Sequence, residues 1–197
     1  MAAGGGADPH PLAELHEVLQ AAFGWWGYHL HEFDIDGVRY GSDDGEDWDP
    51  LEDERRARLD KLARAGSSFT YTYDFGDNWR HTVTVEKIPP ADPSMTYPVC
   101  TGGRRARPPE DCGGVSGYEN VLAVLADPAD GEHASMLEWV GGSFDPERFR
   151  NVRVRRQPEG RLDARAVGPA CGRLTGRRWT RVRRARRVRG WRGGVGR

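Results

Sequence analysis

The chain has 197 residues, a formal net charge of −1 and 37% hydrophobic residues, among them seven Trp, six Tyr and six Phe. This length is enough for one domain with a hydrophobic core, and the aromatic content excludes a wholly disordered chain. No apolar run reaches the roughly 18 residues of a transmembrane helix, and the first residues, MAAGGGADPH, lack the features of a signal peptide. We therefore predict a cytoplasmic protein that makes no contact with a membrane.

The first third of the chain predicts one helix and one β-hairpin. Residues 1–10 are rich in Gly and Ala and are predicted to be disordered. Apolar residues at helical spacing predict a helix over residues 11–23. Residues 25–40 read as strand, turn and strand, because Asp36-Gly37 is a strong hairpin signal between two apolar segments. A loop over residues 41–50 and a helix over residues 52–65 are predicted to follow.

The run YDFGDNWRH, residues 73–81, predicts the best-defined hairpin of the chain. Phe69, Tyr71, Tyr73 and Phe75 alternate with polar residues and are expected to share one face of a strand. Gly76-Asp77-Asn78 supplies the turn. A second strand begins at Trp79 and is rich in β-branched residues.

The remaining elements are predicted to be helices. Ser116 and Glu119 form a capping box at the start of one helix, a second helix is expected over residues 132–140, and Asp145-Pro146 predicts the start of a third. Together the elements predict an α+β fold. It is a single domain over residues 11–149, with helices packed on a mostly antiparallel sheet.

Seven ordered blocks carry a family resemblance. They are LHEVLQAAFGW (15–25), HLHEF (29–33), YDFGDNWRH (73–81), YPVC (97–100), PPEDCGG (108–114), GYENVL (117–122) and EWVGGSFDPERF (138–149). Over residues 11–149 the chain resembles the plasmid pRiA4b ORF-3-like family. The resemblance implies a small bacterial α+β domain associated with plasmids or insertion sequences. Members usually begin with a strand before the first helix, and they tend to carry Cys where this chain has Arg107.

The end of the chain departs from that family. Residues 151–197 hold 16 Arg, no Lys and only two acids, Glu159 and Asp163. We predict that residues 150–197 are a disordered basic tail, and we hypothesise that a frameshift or read-through produced it. Translating the other reading frames of the gene tests this hypothesis, because one of them should then continue the helix that the family has there.

The sharpest chemical hypothesis is a metal site. His29 and His31 lie two residues apart, so both are expected on one face of a strand. Asp74, Asp77 and His81 flank the turn of the neighbouring hairpin. Imidazoles and carboxylates that converge are a plausible ligand set for a metal ion. The simpler explanation, which we favour, is that the histidines are half-exposed strand residues while Asp74, Asp77 and Asn78 bond the turn backbone.

Two further regions carry alternatives. Glu110 and Asp111 of PPEDCGG offer carboxylates for a cation or an amine, although we favour the explanation of a rigid Pro-Pro corner that leads into a helix. The Arg-rich tail, with its two Trp, would bind nucleic acid weakly and without sequence specificity.

The sequence therefore leaves three functions open. We favour a non-enzymatic binding or interaction domain of a mobile-element-associated family, whose partner is an unidentified protein or ligand, and we predict no cofactor. The alternatives are a metal-dependent enzyme that uses the His/Asp cluster and nucleic-acid binding through the tail.

Overall fold

The computed structural model of the chain describes residues 10–42, 51–95, 97–149, 152–156, 162–166 and 181–184. The predicted disorder of residues 1–9 and the predicted loop over residues 43–50 lie outside these residues. The helices are α1 (Leu12–Phe23), α2 (Leu59–Leu62), α3 (Gly114–Ala126) and α4 (His133–Trp139). The strands are β1 (His31–Ile35), β2 (Val38–Gly41), β3 (Glu52–Asp53), β4 (Ser68–Tyr73), β5 (Trp79–Thr84), β6 (Val152–Arg156), β7 (Leu162–Ala166) and β8 (Arg181–Arg184).

The main sheet has the strand order β3-β2-β1-β4-β5, with β8 paired to the free side of β5. All of its pairs are antiparallel except β2 with β3, which is parallel. A separate two-stranded antiparallel sheet is formed by β6 and β7. The predicted α+β fold with a mostly antiparallel sheet is therefore confirmed.

One face of the sheet forms the hydrophobic core with α1. Leu12 and Leu19 of the helix are buried, as are Phe33, Tyr71 and Val83 of the central strands. The alternation expected for a half-buried strand is seen in β1, whose first, third and fifth residues are the buried ones. The core continues into Trp25 and Trp79, as expected for a chain rich in tryptophan, whereas Trp26 and Trp139 are exposed.

Both predicted hairpins are present. Ile35 pairs with Val38 across Asp36-Gly37, and both turn residues have positive φ, as a tight hairpin turn requires. Tyr73 pairs with Trp79 at the end of the second hairpin. Phe75 is the exception on its predicted face. It follows the end of β4 and is 43% exposed, because Asp74 adopts a left-handed φ of 56° that breaks the alternation.

Three helix predictions need correction. Residues 52–65 form a two-residue strand, a turn and the four-residue α2 instead of one helix. The helix α3 begins at Gly114, so Ser116 lies within its first turn and caps nothing. Residues 145–149 form a turn without a helix, because Asp145 uses its side chain to accept the backbone N–H of Glu147, which is an alternative to helical bonding.

In the Arg-rich tail, for which disorder is predicted, the structure describes three segments, and these are strands β6, β7 and β8. The rest of the tail lies outside the described residues. Within the described part of the chain, no helix has the length and apolar character that crossing a bilayer requires.

Candidate functional site

The segment between α1 and β1 brings His29 to the end of the sheet. Gly24 ends α1 with a φ of 67°, which glycine adopts without steric cost. The strand β1 begins only at His31, so His29 precedes it. The prediction that His29 and His31 share one strand face is therefore wrong, because alternation applies only within the strand. The ring of His29 instead packs edge-on against Tyr73, with centroids 5.7 Å apart.

Asp74 lies where β4 ends and the hairpin turn begins. Its Oδ1 atom accepts the backbone N–H groups of Gly76 and Asp77, at 3.0 and 3.2 Å. This is the turn-stabilising role expected from the sequence. Its Oδ2 atom lies 3.6 Å from His29 Nε2. Asp74 as a whole residue is 8% exposed, so one buried residue serves both the turn and the histidine.

The loop that carries PPEDCGG adds a third group to this end of the sheet. Asp111 places Oδ1 at 2.9 Å from His29 Nε2, and its Oδ2 accepts the hydroxyl of Tyr28. Glu110 accepts the hydroxyl of Tyr73 through Oε1 and the backbone N–H of Trp26 through Oε2, at 2.9 Å. Both oxygens of Glu110 are thereby engaged in fastening the loop.

The same loop is held at both of its ends. The indole N–H of Trp25 donates to the carbonyl of Pro108 at 3.1 Å, and the backbone N–H of Gly113 donates to Asp77 Oδ2 at 3.2 Å. Gly114 has a φ of 69°, and a Cβ placed there would lie 2.6 Å from the Asp77 carbonyl oxygen. Close contact with the hairpin turn therefore requires glycine at the last position of PPEDCGG.

Three potential ligands meet in this arrangement. One donor atom each from His29, Asp74 and Asp111 lies within 4.8 Å of the other two. A metal–nitrogen or metal–oxygen bond is about 2.0–2.2 Å long, so one ion can reach all three with small side-chain adjustments. Exposure increases from Asp74 to His29 and then Asp111, whose side chains are 11%, 26% and 56% exposed. The cluster is therefore open to solvent on the Asp111 side.

His31 belongs to a different, buried cluster. Its ring stacks on His16 of α1 with centroids 3.5 Å apart, and its Nε2 is 2.8 Å from Glu54 Oε2. Both His31 and Glu54 are buried. Gln20 donates to the hydroxyl of Tyr71 at 2.9 Å, and that hydroxyl also forms a hydrogen bond of 2.8 Å with His16 Nδ1. Burial, with a contribution from the neighbouring His31 charge, lowers the pKa of His16 to about 3.

The remaining two predicted ligands also lie elsewhere. His81 is half-buried and packs against Phe23 and Trp25, with ring centroids 4.8 and 5.7 Å away. Asp77 bonds the backbone of Gly113. The structure therefore brings together His29 and Asp74 of the predicted set and adds Asp111. It does not bring His31, Asp77 and His81 into the same group.

Hydrogen bonding and burial keep the phenols and the thiol near the cluster protonated. The hydrogen bond to Asp111 is the main cause that raises the pKa of Tyr28 to about 12. Burial, followed by the bond to Glu110, raises the pKa of Tyr73. Burial also raises the pKa of the Cys112 thiol to about 11, with a smaller contribution from Asp77. A protonated thiol is a poor nucleophile, which disfavours a catalytic role for Cys112.

Comparison with known proteins places the chain in a family. Residues 8–152 match a family model described as plasmid pRiA4b ORF-3-like protein. The chain is 43% identical over 135 residues to the uncharacterized protein y4hQ of Sinorhizobium fredii, a match that covers 67% of this chain and 69% of the relative. A crystal structure of MM3350, a protein of unknown function from Methanosarcina mazei Go1, is similar with a TM-score of 0.66 and 40% identity, covering 73% of this chain and 83% of that one. The chain therefore belongs to the plasmid pRiA4b ORF-3-like protein family.

Proposed function

We propose that this domain is a binding module that holds a divalent metal ion between His29, Asp74 and Asp111. The observation that carries the proposal is the convergence of three donor atoms within 4.8 Å. These donors come from three separate parts of the chain: the segment before β1, the end of β4 and the loop before α3. A site assembled from distant segments needs the complete fold, which distinguishes it from the local bonds of a turn.

The donor set indicates the kind of ion. One imidazole nitrogen with two carboxylate oxygens suits a first-row ion such as Mn²⁺, Fe²⁺ or Zn²⁺, since imidazole favours the later metals and carboxylate the harder ones. Three protein ligands leave positions for water or for a ligand oxygen. A bound ion would thus connect the domain to a partner that offers an oxygen, and it would also lower the pKa of a bound water.

The electrostatics of the cluster support the same proposal. Asp74 is 8% exposed, and Asp111 and Glu110 add carboxylates to the same end of the sheet. A buried carboxylate is costly unless it is paired. His29 faces two carboxylates, so a cation with two charges would balance them better than one imidazole does. The competing explanation is that His29 and Asp111 form a purely structural ion pair.

Metal titration of the purified protein separates these explanations. After removal of bound metals, calorimetric titration with Mn²⁺ and Zn²⁺ is expected to show one site per chain. His29→Ala and Asp111→Asn are expected to abolish it. His10→Ala is a matched control, because His10 is exposed and pairs with Glu14, four residues further along the chain. A wild-type protein that takes up neither ion would overturn the proposal and leave the structural ion pair.

The metal-dependent enzyme remains the alternative within this proposal, because an activated water on the ion is the first requirement of metal-assisted hydrolysis. We keep the binding module as the proposal, since Glu110 has both oxygens engaged and is therefore not placed as a general base. The association with a mobile element, which the family description suggests through its plasmid name, is part of the same proposal.

A further inference from the structure

Tyr28 and the hairpin turn restrict how the two carboxylates of the cluster can bind an ion. Asp111 has one oxygen on Tyr28 and the other on His29. Asp74 has Oδ1 on the N–H groups of Gly76 and Asp77 and Oδ2 toward His29. In each carboxylate, therefore, one oxygen is engaged by a hydrogen-bond donor of the protein and one faces the cluster.

We propose that Tyr28 is a specificity-determining residue of the metal site, because its hydroxyl limits Asp111 to one metal-binding oxygen and so disfavours Ca²⁺. This inference rests on the proposed metal-binding function. It assigns to Tyr28 a positioning role, since the phenol acts on the ion only through Asp111. The backbone N–H groups of Gly76 and Asp77 likewise occupy one oxygen of Asp74. A side-chain substitution can remove the Tyr28 phenol, but it cannot remove these backbone donors.

The coordination chemistry of the ions explains the expected selectivity. Ca²⁺ takes about six to eight oxygen ligands and commonly uses carboxylates through both oxygens. With Tyr28 in place, the protein supplies one nitrogen and two single oxygens, which are too few for a Ca²⁺ site. A smaller first-row ion accepts a mixed nitrogen and oxygen set and completes its shell with water.

The phenol of Tyr28 is well placed to occupy one oxygen of Asp111. The ring of Tyr28 lies 4.3 Å from the ring of His29, centroid to centroid, on the same segment of chain. The hydroxyl of Tyr28 donates a hydrogen bond to Asp111 Oδ2, which engages that oxygen and leaves Oδ1 toward His29. Partners that bond the outer oxygen of a ligating carboxylate typically contribute about 10- to 100-fold to metal affinity.

The test compares Mn²⁺ and Ca²⁺ affinities of the full chain in three forms: wild type, Tyr28→Phe and Tyr97→Phe. Tyr28 is 52% exposed, so its substitution should not prevent folding, which the thermal midpoint checks. Tyr97 is the matched control, because its hydroxyl accepts the backbone N–H of Asp92 and belongs to a different loop from the metal ligands. Free Mn²⁺ is measured by electron paramagnetic resonance and Ca²⁺ by calorimetry.

In Tyr28→Phe, Mn²⁺ affinity is expected to fall about 10- to 100-fold while Ca²⁺ affinity stays level or rises. The ratio of the two affinities should therefore fall at least about tenfold, and Tyr97→Phe should leave it unchanged. If Tyr28 only held the loop in place, its substitution would weaken the binding of Mn²⁺ and of Ca²⁺ equally. An unchanged ratio would thus overturn this inference alone, whereas a wild type that binds neither ion would overturn the proposed function as well.

Discussion

His29 and His31 are two residues apart in the chain and belong to two contrasting polar clusters. His29 lies at the solvent-facing end of the sheet, between Asp74 and Asp111. His31 lies beneath α1, stacked on His16 and paired with Glu54. Both clusters combine imidazole with carboxylate. They differ in burial and in whether their groups have room for a further ligand.

The difference shows how one strand boundary decides the role of a histidine. His31 is the first residue of β1 and points into the core with Phe33 and Ile35. His29 stands in the irregular segment before it and contacts the loop that carries Asp111. A buried pair contributes to folding, because each partner would otherwise be an uncompensated polar group. A pair at the rim contributes little to stability and is available for binding.

The largest expected contrast comes from removing each histidine in turn. His31→Ala leaves Glu54, which is 5% exposed, without its partner, and breaking a buried pair costs about 3–5 kcal/mol. His29→Ala is expected to change the free energy of unfolding by about 1 kcal/mol or less. Urea denaturation of both variants measures the difference. Equal losses of unfolding free energy in the two variants would contradict the assignment of His31 to stability and His29 to binding.

A second contrast tests how rigidly the loop is held against the hairpin. Gly114→Ala should destabilise the fold by about 2–4 kcal/mol, from the left-handed φ and the contact with the Asp77 carbonyl oxygen. Gly66→Ala is the matched control, because Gly66 also has a positive φ but has open space around its Cβ position. The Gly66→Ala variant should lose only about 1–2 kcal/mol of unfolding free energy, as measured by denaturant unfolding. Similar losses in the two variants would contradict the tight contact.

A third effect, smaller when expressed per pH unit, is the pH dependence of the buried cluster. Folding lowers the pKa of His16 from its ordinary value of 6.5 to about 3, so the unfolded chain binds more protons between these two pH values. Stability is therefore expected to fall as the pH drops below 6.5, by at most about 1.4 kcal/mol per pH unit for this group. Urea midpoints from pH 7 to pH 4 measure the slope. His16→Asn should reduce it, and an unreduced slope would assign the effect to other groups.

The local elements that the sequence predicted well are those whose signals are contained in a few residues. Asp36-Gly37 marks a hairpin turn on its own, and the leucines of α1 mark its buried stripe. The prediction over residues 52–65 was wrong because only Leu59 and Leu62 suggested an inward face. In the structure the chain there pairs with β2 through Glu52 and Asp53 instead, which is a tertiary choice that local preference does not determine.

The site was predicted only in part for the same reason. Asp74 was found because its place beside the turn is a local signal, and His29 because of its proximity to His31. Their partner Asp111 lies 82 residues after His29, and only the folded loop brings it back. Alternation wrongly grouped His31 with His29, since the start of β1 was not visible in the sequence. The sequence signal available for Asp111 was the acidic pair of PPEDCGG, which was interpreted as a separate cation site.

The fastening of the PPEDCGG loop has a consequence for the order of folding. Glu110 reaches Trp26 and Tyr73 across 84 and 37 residues of chain, whereas the hairpin between β4 and β5 closes over a short turn. Closing long loops costs more chain entropy and is slower than local pairing. We therefore expect the hairpin to form early and the cluster to be assembled last, so that ion binding reports the completion of the native state rather than guiding the chain toward it.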